Sequence, residues 1–160
     1  MEKVYGATER HDKLVRFGTG RCVLVFGYAE DDGNGYDYRH TFDHEPTKEE
    51  MMAVINEQVD ANTDAKILSG LVWRNMPVWL SMENQFNFKS AYDLAVQKNG
   101  ATLPVTFKMG ERNGQPVYYT FTTMEDAEDF YISAVSFIQQ TLAAGWMEKD
   151  SVDYEALLNE

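Results

Sequence analysis

The chain has 160 residues with 14 Lys and Arg against 26 Asp and Glu, a formal net charge of −12. That balance argues against general binding to a phosphate backbone, which needs clustered positive charge. Its 44% hydrophobic and 25% charged content is that of an ordinary globular protein, and no run approaches the roughly 20 apolar residues of a membrane span.

Charge is unevenly placed. Residues 1–21 hold five basic side chains (Lys3, Arg10, Lys13, Arg16, Arg21) against three acidic ones, whereas the other 139 residues sum to −14. Residues 1–20 therefore read as a basic, Gly-punctuated arm, mobile unless docked. Residues 21–160 read as one α+β domain, with a possible internal boundary near 65. The opening MEKVYGATERHDK lacks the apolar core of a signal peptide. The single cysteine, Cys22, excludes an intrachain disulfide and fits a reducing compartment.

The elements follow in order. Residues 21–29 (RCVLVFGYA) predict a strand, DDGNG at 31–35 a turn, and 36–43 (YDYRHTFD) a second strand with Tyr36, Tyr38, His40 and Phe42 on one face. Pro46 ends it. Thr47-x-x-Glu50 has capping-box spacing, and Met51, Met52, Ile55 and Val59 then recur at helical period. Residues 67–73 and 77–81 predict a hairpin around Arg74-Asn75-Met76, followed by a helix capped by Ser81 and stopped by Asn99-Gly100. A third hairpin pairs 103–109 with 116–122 through Asn113-Gly114. Thr122-x-x-Glu125 opens a helix with Ala127, Phe130, Ala134, Phe137 and Ile138 inward, and Gly145 is placed to end it. A short acidic helix spans Ser151–Leu158. The expected architecture is ββα-ββα-ββα-α, with the hairpins joined in one antiparallel sheet and helices on one face.

No reactive constellation stands out. His40 and His44 lie four apart in HTFDH, but on a strand that spacing separates them by about 13 Å, so a metal-assisted hydrolase built on His40, Asp43 and His44 is a further alternative. Glu30–Gly35 superficially resembles a calcium loop but has Thr41 where the bidentate Glu belongs. Cys22 begins an apolar run and reads as a small hydrophobe. No cofactor is expected. In the middle helix Asn84 and Gln85 face the core side and must find backbone partners, while Phe86 and Leu94 point the other way, a candidate contact surface. Trp73 and Trp79, on the hairpin arms, suggest as an alternative a ligand- or glycan-binding face.

Residues 66–153 resemble phage and prophage tail-associated proteins of unknown function. The resemblance rests on GLVWRNMPVWLS, MENQFNFKSAYDLA, LPVTFKM with VYYTFT, and AAGWMEKD. Trp79, Leu80, Ser81, Asn84 and Gln85 are its recognisable positions. It implies a non-enzymatic virion-associated or tail-assembly role through protein–protein contacts, with other subunits of a homo-oligomer or tail components as partners, in the host cytoplasm or the virion. Neither nucleic acid nor membrane is an expected partner.

Overall fold

A computed structural model describes residues 1–159. The fold is α+β. The strands are β1 (Glu2–Tyr5), β2 (Lys13–Arg16), β3 (Cys22–Asp31), β4 (Asn34–Phe42), β5 (Leu71–Trp73), β6 (Met76–Val78), β7 (Val105–Arg112) and β8 (Gln115–Phe121). The helices are α1 (Lys48–Ser69), α2 (Met82–Gln97), α3 (Met124–Asp150) and α4 (Tyr154–Asn159). Among the described residues no helix is long and apolar enough to cross a membrane.

The chain forms two compact units, residues 1–60 with 147–160 and residues 61–146, so the boundaries fall inside α1 and α3. The expectation of one domain over 21–160 gives way to this division. In the first unit a four-stranded antiparallel sheet has the order β1-β4-β3-β2. The β3–β4 hairpin turns through Asp32-Gly33, both at positive φ, as a two-residue turn requires.

Residues 1–20 are not a separate arm. Their two short strands flank opposite edges of this hairpin, Glu2 beside Arg39 and Lys13 beside Val25. Between them Gly6–Asp12 crosses as a strap: the Gly6 amide donates to the Gly35 carbonyl, and Asp12 Oδ1 accepts from the Gly27 amide, at 2.8 and 2.7 Å. A Cβ at Gly35 would overlap the Ala7 carbonyl oxygen, so the strap passes there only over a glycine.

The inner face of the sheet presents Leu14, Cys22, Leu24, Phe26 and Phe42 to Met51, Ile55 and Val59 of α1 and to Tyr154 and Leu157 of α4. Leu24, Met51 and Ile55 are completely buried, each contributing about 1.5–3 kcal/mol. Met52, expected in the stripe, is exposed. The capping box forms as spaced: Glu50 N donates to Thr47 Oγ1 and Thr47 N to Glu50 Oε2.

In the second unit two separate hairpins, β5–β6 and β7–β8, replace the expected continuation of one sheet. A single bond, Trp79 N to the Met109 carbonyl (2.7 Å), ties the segment after β6 to β7. Around them Trp73, Phe88, Phe121 and Phe130 form an aromatic core. Other boundaries also differ from expectation, among them those of β7, which runs from Val105 to Arg112, and of α4, which starts at Tyr154. Residues 67–69 continue α1, which stops before Gly70, where a Cβ would lie 2.5 Å from the Lys66 carbonyl oxygen. The hydroxyl capping α3 is that of Thr123, which accepts from the Asp126 amide, one residue beyond the expected Thr122. Gly145 sits within α3 rather than after it.

Candidate functional site

Of the two tryptophans expected on a binding face, only Trp79 is accessible (38% exposed). Trp73 is 5% exposed, so it cannot stack on a ligand. Its ring packs edge-on to Tyr119 and Phe130, and its indole N–H donates to Asp129 Oδ2 at 3.0 Å. Trp79 lies against the β7–β8 hairpin, with the Lys108 ammonium 5.4 Å from its ring centre.

The start of α2 explains its two amides. Ser81 Oγ caps the helix by accepting from the Asn84 amide. Asn84 Nδ2 then donates to the Trp79 carbonyl at 2.9 Å and Gln85 Nε2 to the Leu80 carbonyl at 2.6 Å. Both side chains thus satisfy backbone acceptors left where the chain leaves β6 for the helix. They fasten structure and are not free to read a ligand. On the solvent side of α2, Met82 is 88% and Phe86 70% exposed, one helical turn apart, and Leu94 is also exposed.

One polar cluster escaped the sequence reading. Arg74, at positive φ in the β5–β6 turn, reaches Asp126 Oδ1 at 2.8 Å, Asp129 Oδ2 at 3.2 Å and Tyr119 Oη at 3.1 Å, while Tyr119 donates to Asp126 Oδ2. The guanidinium first, then the phenol, holds the Asp126 carboxyl below its usual range. Burial, then the hydrogen bond to Asp126, pushes the Tyr119 phenol up. The charges of this cluster are paired with one another, so it pins a turn to the first turn of α3. Sequence offered one signal, the turn at Arg74-Asn75-Met76, of which Met76 belongs to β6, and nothing that placed α3 beside it.

The histidine pair of the first unit separates. His40 packs edge-on to Phe42 on the sheet. His44 lies beyond β4, its Nδ1 2.7 Å from Asp43 and its Nε2 3.0 Å from Glu50. Asp43 first, then Glu50, raises its pKa. Both ring nitrogens are therefore engaged, and among the described residues no three His, Cys, Asp or Glu side chains converge as a metal site. Cys22 is buried and donates to Glu45 Oε2; burial first, then this carboxylate, pushes its thiol up, away from the reactive thiolate.

The outer face of the four-stranded sheet carries a groove of about 480 Å³. Val15, Val23 and Val25 form its floor and the strap walls one end. Asp37, buried on this face, holds Arg39 through two hydrogen bonds of 2.8 and 3.1 Å. Compared with known protein families, curated proteins and solved structures, the chain matches none.

Proposed function

We propose that this protein is a non-enzymatic structural or tail-assembly component of phage or prophage origin that works through protein–protein contacts. The observation that carries this reading is the solvent side of α2. Met82 and Phe86 are left in water one turn apart, while the amides between them are committed to backbone bonds. Exposed apolar side chains grouped on one surface mark contacts with other chains. The resemblance of residues 66–153 to tail-associated proteins supports the same reading and supplies the viral setting, with the virion or the host cytoplasm as location and other subunits as partners. A glycan-binding face is the weaker reading, because burial of Trp73 leaves Trp79 without its aromatic companion.

The test is quantitative mass spectrometry of particles and tail precursors purified after induction of a host carrying the sequence. Stoichiometric recovery in either fraction is expected, reduced by Met82→Ser with Phe86→Ser. Absence from both fractions sinks the reading.

A further inference from the structure

We infer that the outer face of the β1-β4-β3-β2 sheet is a self-association surface whose occupant is the same face of a second copy of this chain. This extends the assembly reading to a partner, and the two fail separately.

The register places four side chains in one row across the strands: Glu2 beside Arg39, Arg39 beside Val25, Val25 beside Lys13. Paired residues share a face, so all four point outward, opposite the core residues Leu24 and Phe26. The next row, Val15, Val23 and Thr41, lies on the same face. Within the row Arg39 is neutralised by Asp37. Among the described residues Lys13, on one outer strand, makes no ion pair within 4 Å, and Glu2, on the other, makes none either, although its charge acts on Arg39 beside it. Three strand spacings put them about 14 Å apart. The face therefore runs from a negative end at Glu2, across the neutral Arg39–Asp37 pair and the valines, to a positive end at Lys13.

Such a row is complementary to itself. A two-fold axis parallel to the strands, between β3 and β4, reverses the strand order of one copy over the other. Glu2 of each then meets Lys13 of the other, twice by symmetry, with the valines enclosed between. Aligned packing of two sheets is a standard way to bury such a face. The strap bounds the groove at the hairpin end, and its Glu9 and His11 also line it, so the second copy sits over the rows of Lys13 and Val15. Exposed ion pairs add little energy; here Val15 and Val23, only half-buried in the single chain beside the buried Val25, supply affinity, and the end charges fix register and exclude other pairings.

Sedimentation equilibrium of the full chain over a wide concentration range tests this. The wild type is expected to form a dimer. Lys13→Glu, which sets like charges against each other twice, is expected to raise the dissociation constant at least about tenfold, as is Glu2→Lys. The double variant Glu2→Lys with Lys13→Glu restores the complementary pairs and is expected to recover wild-type association. Far-ultraviolet circular dichroism confirms that these surface variants remain folded, and Phe86→Ser, in the other unit, leaves the dimer intact. A monomeric wild type at every concentration overturns the inference, as does a Lys13→Glu chain that dimerises like the wild type, or a charge swap that fails to recover. None of these outcomes bears on recovery of the chain in tail particles.

Discussion

The Thr63 hydroxyl oxygen occupies the space that a side chain on Gly145 would need: a Cβ there would lie 2.5 Å from it. This contact between α1 and α3 explains a glycine deep in a 27-residue helix, where it costs about 1 kcal/mol in helix propensity relative to alanine. Gly145→Ala alone is expected to lower the midpoint of thermal unfolding. Combined with Thr63→Ala, which removes the obstructing atom, the same change is expected to raise stability above wild type by about 1 kcal/mol. Thermal and urea unfolding of the two singles and the double measure this. A double variant no better than Gly145→Ala would show that the contact is not what excludes a side chain.

Adjacent residues of α2 are expected to behave oppositely. Gln85→Leu strips the Leu80 carbonyl of its donor and is expected to cost about 1–3 kcal/mol in urea unfolding, the penalty of an unpaired buried acceptor. Phe86→Ser touches a side chain already in water and is expected to change stability by less than about 0.5 kcal/mol. Equal losses at the two positions would mean that Phe86 is packed.

His44 supplies a pH dependence with a definite sign. Its pKa is raised above the ordinary 6.5 by Asp43 and Glu50. Its stabilising contribution is complete below pH 6.5 and is lost as pH climbs through the raised value. The carboxyls run the other way. Asp43 is depressed chiefly by His44, and Glu50 first by the Thr47 amide and then by His44, so their contributions are present above 3.8 and 4.5 and disappear as pH falls through their lowered values. Melting temperatures of wild type and His44→Gln are therefore expected to differ most between pH 4.5 and 6.5 and to converge on the alkaline side. Parallel curves across this range would show that these pairs do not contribute.

Arg74 and Asp126 act as a unit. Either single alanine substitution is expected to lower the unfolding midpoint, and the double to fall short of the sum, because each single change already removes the shared contact. Additive losses in the double-mutant cycle would place the contribution of Arg74 elsewhere.

Much of the local structure was legible because it depends on short-range chemistry. Thr47 and Glu50 cap each other at fixed spacing, Asp32-Gly33 and Asn113-Gly114 turn where positive φ is needed, and Asn84 and Gln85 take the backbone partners that inward amides require. The failures are non-local. EKVY and KLVR are four-residue edge strands rich in charge, without a buried alternation that would announce them. Ile67 and Leu68 suit a strand as well as a helix, and the close approach of the Lys66 carbonyl that requires a glycine at 70 is visible only in the structure. Gly145 looked like a helix terminus because its packing against Thr63, 82 positions earlier, has no trace in local sequence. At the candidate site, the exposed side of α2 was readable from periodicity. The burial of Trp73 and the Arg74 cluster were not, since both follow from where α3 lies.

The placement of β1 and β2 on opposite sides of the β3–β4 hairpin also sets an order of events during synthesis. The two leading strands leave the ribosome before either neighbour exists: β2 lacks its backbone partners until Val25 has been made, and β1 lacks its own until Arg39 has. The Gly6–Asp12 strap can then close over the finished hairpin like a clasp. Completion of this sheet is consequently the docking of β1 on β4, and its loop-closure entropy is that of the chain between those two strands.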